Sequence, residues 1–298
     1  MKETDIADFI TIASESLCLA GDAIEHLFGL TPTDLGSSTK KDETPVTQAD
    51  FLAEQVIAER ILAGFPTLPL IREETDSVIP DADDIVCLID PLDGTSSFER
   101  GFSTYGMQVG LVRRTNNRGE LIASVIYEPQ TGRLWQAARS CGAFMSVYDR
   151  NTKILKEGRR VSVSTPCQAN EKSGMLIYDA AIKFRNIVPD QAAKAAILTE
   201  VLPLFRRVRM IGSLALQFAY VASGYAEATV ADAVGGPYDL CGHLLVDEAG
   251  GRSSDLRRAP IDVFSCEVAL ATNGDCHDRL AEVLERAYSR IRQPGSTK

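Results

Sequence analysis

Residues 85–102 read IVCLIDPLDGTSSFERGF. The apolar run 85–89 has the length and β-branched content of a buried strand, and it drives straight into Asp90 and Asp93. Both acids therefore stand where a strand leaves the core. Pro91 fixes its own φ and offers no N–H, whereas Gly94 permits a turn that a Cβ would obstruct. Such a turn can aim the two carboxylates at one point. Thr95, Ser96 and Ser97 suit the opening of a helical turn, whose unpaired N–H groups form an anion cradle. Oxygen ligands beside an anion cradle suggest a metal-assisted phosphate site.

Upstream, residues 5–30 place Ile6, Phe9, Ile10, Ala13, Leu17, Ala20, Ile24, Leu27 and Phe28 at helical spacing, which predicts a long amphipathic helix with one buried stripe. Residues 31–45 carry Pro, Gly, Ser, Thr and paired lysines with little periodicity and read as a loop. Thr47 or Asp50 then caps a second helix running through Phe51, Val56, Ile57 and Ile61 to about Leu62, ended by Gly64 and Pro66. Residues 68–71 are a strand candidate that delivers Arg72, Glu73 and Glu74, and an acidic loop over 76–84 leads to the opening strand. Downstream, 105–113, 120–127 and 134–138 are strand-like runs joined by Asn/Gly turns, which argues for an antiparallel sheet.

The polar stretch 149–160 is the candidate linker between two halves, 1–155 and 156–298; a long hairpin loop inside one domain is the other reading. The second half alternates strands at 174–178, 208–211, 226–230 and 268–272 with helices at 190–202, 214–223, 239–249 and 276–292. Alternation of this kind predicts an α/β half behind a half built of a helix pair and an antiparallel sheet.

The chain has 298 residues, long for one hydrophobic core, and its net charge of −10 argues against nonspecific nucleic-acid or anionic-membrane binding. Its 7 cysteines are scattered without CxxC spacing, no uncharged apolar run reaches the length of a membrane span, and the acidic start MKETDIADFI lacks signal-peptide character. A cytoplasmic protein with reduced thiols is the expectation. His26, His243 and His277 lack metal-ligand spacing, and Trp135 sits in a strand pattern, so packing roles are expected of all four.

Four separated pieces, PVTQAD at 45–50, REE at 72–74, DPLDGTSSF at 90–98 and PYDLCGHLLVDEAGG at 237–251, resemble the inositol monophosphatase superfamily, the Mg²⁺-dependent, lithium-sensitive phosphatases. The resemblance implies a layered αβαβα sandwich, a homodimer and two or three Mg²⁺ ions. It implies that Glu73 and Asp90, with the carbonyl of Leu92, bind one ion, and that Asp90, Asp93 and Asp239 bind a second. Asp50 would pair with Thr95 and is associated with a further, weaker metal. Glu73 and Thr95 would activate the attacking water, with no covalent intermediate. The N–H groups of Gly94 and Thr95 would hold the phosphate, while Ser213, Ala215 and Asp232 would line the substrate pocket.

Taken singly, these residues have plainer readings: Asp90 and Asp93 as turn and cap residues, Asp239 and Asp50 as helix caps, Asp232 as a turn acid, Glu73 as a solvated edge charge. Convergent carboxylates, however, repel by roughly 4 kcal/mol per pair at 4 Å and an effective dielectric near 20, so a cluster of them calls for cations or protons. Departures from the family pattern are Arg72 for the usual Gly, Ser97 for the frequent Asn, and Tyr238 for Trp. They leave every proposed carboxylate in place and bear on the substrate. A small polyol or sugar phosphate such as inositol monophosphate is expected. Histidinol phosphate, fructose 1,6-bisphosphate and the 3'-phosphate of adenosine bisphosphates are alternatives, and a weakly active metal-binding scaffold is the rival of another class.

Overall fold

A computed structural model describes residues 3–40, 45–75, 84–164, 174–179, 191–232 and 234–292. Most of the acidic loop (76–83), Cys167 and the first residue of the helix expected from 190 lie outside them.

Helix α1 (Glu3–Ile24) lies beside α2 (Gln48–Gly64), and between them β1 (Ser38–Thr39) and β2 (Pro45–Val46) form a small antiparallel ladder. Strands β3 (Leu70–Arg72) and β4 (Ile85–Asp93) lead into the five-residue helix α3 (Thr95–Glu99). Then follow β5 (Gly106–Thr115), β6 (Arg118–Glu128), β7 (Arg133–Ala138) and β8 (Gly142–Asp149), with two-residue β9 (Ile154–Leu155) and β10 (Arg159–Arg160). All of these join one sheet, in the order β10-β8-β7-β6-β5-β4-β3 with β9 on β8. The sheet is antiparallel except where β3 runs parallel to β4. Two features depart from expectation. Strand β8 follows the tight turn at 139–141, and part of the 149–160 stretch returns to pair with β8 as β9 and β10.

The second half contains β11 (Met175–Tyr178), α4 (Gln191–Val201), β12 (Arg207–Arg209), α5 (Leu214–Ala222), β13 (Ala228–Ala231), α6 (His243–Glu248), β14 (Arg252–Asp255), β15 (Ala269–Thr272) and α7 (His277–Arg292). Its sheet is ordered β12-β11-β13-β15-β14, parallel at β11 and antiparallel at β15.

Strand alternation sorts the side chains into layers. In β4, Cys87 and Ile89 face α1 and α2, whereas Val86 and Leu88 face α5 and α6. In β15, Ala269 and Ala271 face the same α5/α6 layer, and Leu270 faces α7. Three apolar clusters between five layers make an αβαβα sandwich. Trp135 is fully buried, its indole N–H donating to Ser223 Oγ at 2.8 Å, as its strand position predicted. His243 and His277 are buried and bonded within the core, Nδ1 of His243 at 2.8 Å from the carbonyl of Leu240 and Nε2 of His277 at 2.8 Å from Ser254 Oγ.

Candidate active site

The strand begun at Ile85 does not stop at Ile89; it carries on through Asp93. Asp90 pairs with Gln108 and Asp93 with Gly106, so three residue steps on β4 oppose two on β5. In a regular strand, residues three apart face opposite sides. The extra residue, at a position where Pro91 has no N–H to give the ladder, reverses the alternation. Leu92 accordingly packs toward α1 and α2, and Asp90 and Asp93 both face the middle layer.

Asp90 is 1% exposed; its Oδ1 accepts the Leu92 N–H at 3.2 Å and its Oδ2 the Gln108 amide at 2.9 Å. Asp93 Oδ2 accepts from Ser213 Oγ and from the Ala215 N–H, both at 2.6 Å, at the start of α5. Asp239, in a single 3₁₀ turn (Pro237–Leu240), takes the N–H groups of Gly235 and Gly236 on Oδ2. Glu73 follows β3, where its N–H donates to the carbonyl of Ile89 and its Oε1 lies 2.9 Å from Lys40 Nζ. The same ammonium reaches Glu74 at 2.7 Å, and burial followed by the charge of Glu73 pushes the Glu74 carboxyl up to about 8.

Thr47 caps α2, and Asp50 closes the capping box by accepting both the N–H and the Oγ1–H of Thr47 on Oδ2, each at 2.7 Å. Its other oxygen takes the hydroxyl of Thr95 at 2.8 Å. Gly94 adopts φ 94°, and a Cβ there would meet the carbonyl of Gly212 at 2.8 Å. Only glycine suits both demands.

The acids feel one another. Burial, and after it the charge of Glu73, raises the carboxyls of Asp90 and Asp239 well above the usual range, and Asp93 adds to both. Asp93 itself is pushed up to about 7, by burial first and with Glu73 and Asp179 contributing against its hydrogen bonds. Such a set consists solely of hard oxygen donors with surplus negative charge, which fits a divalent cation such as Mg²⁺ in chemistry. It is not a closed cage: among the described residues no three acids, imidazoles or thiols converge on one ion as they stand. Lys40 meanwhile provides positive charge beside Glu73.

Asp50, Glu73, Asp90, Asp93, Thr95 and Asp239 interact with one another, and Leu92 and Gly94 lie in the same strand-to-helix turn. Ser213 and Ala215 adjoin them, with their donors committed to Asp93. Asp232, directly after β13 and 2% exposed, accepts on Oδ2 the hydroxyls of Tyr178 at 2.7 Å and Tyr288 at 2.5 Å, from β11 and α7. Gln108, Lys40 and Asp179 were missed. Gln108 left a signal, a lone amide inside the apolar run of β5; Asp179 left a weaker one, an acid directly after a strand. Lys40, in a loop without periodicity, left none.

A strand-borne cluster of buried acids between two sheets has the donor chemistry of a metal-assisted phosphate site. The chain belongs to the inositol monophosphatase family, whose model matches residues 5–289. It is 27% identical over 253 residues to an inositol-1-monophosphatase of Rhizobium meliloti, covering 83% of this chain and 85% of that protein. It is 34% identical over 220 residues to a histidinol-phosphatase of Chlorobaculum parvum, covering 74% of this chain and 75% of the relative. Among solved structures, the inositol monophosphatase from Anabaena aligns with TM-score 0.75 and 26% identity, covering 95% of this chain and 97% of that one. The Thermotoga maritima IMPase has TM-score 0.78 at 24% identity, over 95% and 99%, a likeness of fold.

Proposed function

We propose that this phosphatase is a Mg²⁺-dependent phosphomonoesterase that hydrolyses a small polyol or sugar phosphate, inositol monophosphate first among them. The observation that carries this reading is the set of buried acids Asp90, Asp93 and Asp239, raised in proton affinity by burial and by Glu73, beside a Thr95 hydroxyl held by Asp50. Glu73, Asp90, the Leu92 carbonyl, Asp93 and Asp239 would hold two or three ions. Bound there, Mg²⁺ would supply positive charge to the phosphoryl oxygens and acidify a water.

The rest falls to the chain. Thr95 donates its hydroxyl hydrogen bond to Asp50, so its oxygen lone pairs are left to accept a hydrogen bond from a water and orient it for loss of a proton. Glu73, once Lys40 is drawn aside, is the carboxylate placed to take that proton. The backbone N–H groups of Gly94 and Thr95 receive the phosphate. Lithium inhibition, a homodimer and a cytoplasmic location accompany this reading.

The relative of Chlorobaculum parvum favours a second substrate, histidinol phosphate, on the same machinery. Phosphate release with Mg²⁺ from inositol 1-phosphate, histidinol phosphate, fructose 1,6-bisphosphate and adenosine 3',5'-bisphosphate ranks the candidates. Turnover of inositol phosphate above the others is expected. Failure to release phosphate from every one of them overturns the phosphatase chemistry in favour of a metal-binding scaffold.

A further inference from the structure

We propose that Asp179 is a positioning residue for Asp93, acting through the backbone turn that opens α5; the inference rests on the phosphatase reading above. Asp179 directly follows β11 and is half-buried. Its Oδ2 accepts the Gly212 N–H at 2.9 Å and the side-chain amide of Gln217. Gln217 is fixed in its turn, because Thr229 Oγ1, fully buried on β13, donates to its Oε1 at 2.6 Å. The turn is thus fastened to two neighbouring strands of the second sheet, to β11 through Asp179 and to β13 through Gln217.

What the turn carries belongs to the site. Gly212 has φ 73°, a left-handed conformation that needs its flanks held. The next residue, Ser213, places its hydroxyl on Asp93, and Ala215 places its N–H on the same oxygen. The Gly212 carbonyl also abuts Gly94. One carboxylate on the second sheet therefore sets the angle at which an acid of the first sheet is presented.

Gly212 and Gln217 meet one oxygen, so these two bonds need an acceptor and not a charge; the Ile211 N–H also bonds the carboxylate. Asparagine can keep the Gly212 and Gln217 bonds through its amide oxygen; alanine leaves the Gly212 N–H and the buried Gln217 amide without this partner. Outer partners of metal ligands commonly tune metal affinity by about 10- to 100-fold when removed.

The experiment uses the full chain as wild type, Asp179→Ala, Asp179→Asn, Gln217→Leu and His277→Gln. It reads Mg²⁺ affinity without substrate by calorimetry, steady-state kinetics, and Tm. Asp179→Ala is expected to bind Mg²⁺ about 10-fold or more weakly and to lose kcat with little change in KM. Asp179→Asn should recover most of both, and Gln217→Leu, which cuts one fastening, should fall between. It serves as the decisive variant should Asp179→Ala not fold. His277→Gln, remote from the turn, should lose Tm and keep Mg²⁺ affinity. If the wild type binds Mg²⁺ and hydrolyses its substrate while the Asp179 and Gln217 variants bind Mg²⁺ as tightly, this inference falls alone. An equal loss in His277→Gln overturns it too, by making the effect one of general destabilisation. A wild type that neither binds Mg²⁺ nor releases phosphate overturns the parent reading and this inference with it.

Discussion

The Thr95 hydroxyl donates to Asp50 Oδ1 at 2.8 Å, linking the residue after the Gly94 turn to the first turn of α2. Asp50 is fully buried and its second oxygen is already occupied by Thr47, so the carboxylate has one direction left to act in. Thr95→Ala is expected to lose about 100-fold or more in kcat, within the range for a positioned proton-transfer group, while Thr95→Ser retains a substantial part. Phosphate-release kinetics at saturating Mg²⁺ check this. A serine variant as slow as the alanine variant would show that the methyl, and not the hydroxyl, matters.

Repulsion among the acids should be visible without substrate. In the folded chain, burial pushes the Asp93 carboxyl up to about 7 from its ordinary value of 3.8. A folded pKa above the unfolded one means that the folded state binds more protons between those values. Its stabilising contribution is therefore complete below pH 3.8 and is lost as pH rises through about 7. Metal-free protein should melt lower at pH 8 than at pH 5.5, and millimolar Mg²⁺ should raise Tm most at the higher pH. Equal melting temperatures with and without Mg²⁺ at pH 8 would refute a preformed divalent site.

The same repulsion gives Asp93→Asn opposite effects on stability and function. Asparagine can still accept from Ser213 and Ala215 through its amide oxygen, yet it removes a negative charge from among Glu73, Asp90 and Asp239. Metal-free Asp93→Asn should melt higher than the wild type by a few degrees, about 1 kcal/mol in a domain of this size, and should lose its Mg²⁺-induced shift and its turnover. Scanning calorimetry with and without Mg²⁺ settles the point.

Asp232 carries hydrogen bonds that its spacing does not announce. Its spacing from Asp239 points to a substrate contact, yet Tyr178 and Tyr288 place two hydroxyls on it from β11 and α7. Tyr288→Phe should cost about 1 kcal/mol of stability by removing one of these bonds, with KM unchanged. A raised KM would return Asp232 to the substrate pocket.

Local pattern carried much of the fold: the stripe of α1, the Thr47 cap and the apolar run of β4 each have a periodicity or a stop signal within a dozen residues. The αβαβα layering itself came from resemblance. Strand β8 was overlooked because Gly142–Asp149 mixes a polar serine and small residues into a short run. The acids Asp90 and Asp93 were legible by type, but the reason they face one way was not. That reason is the register slip against Gln108 and Gly106, which depends on a partner strand and on Pro91 together. Long-range hydrogen bonds such as Asp179 to Gly212 leave no trace in spacing at all.

Gly94 gives the sharpest test of the loop itself. Its φ of 94° lies outside the range an L side chain readily adopts, and a Cβ would stand 2.8 Å from the Gly212 carbonyl and 3.2 Å from that of Thr104. Both obstacles are backbone, so neither can swing aside as a flexible side chain would. Gly94→Ala must therefore move either the Asp93–Thr95 segment or the Gly212 turn, and each move shifts an oxygen that the Asp93 and Asp50 contacts depend on. Backbone strain of this kind costs about 1 to 3 kcal/mol, so the variant should fold with a Tm lowered by several degrees. Its turnover should fall far more than its stability, by at least the 100-fold that a displacement of about 1 Å can bring. Circular dichroism melts alongside phosphate release test both halves of that statement, and a folded Gly94→Ala variant with wild-type turnover would refute it.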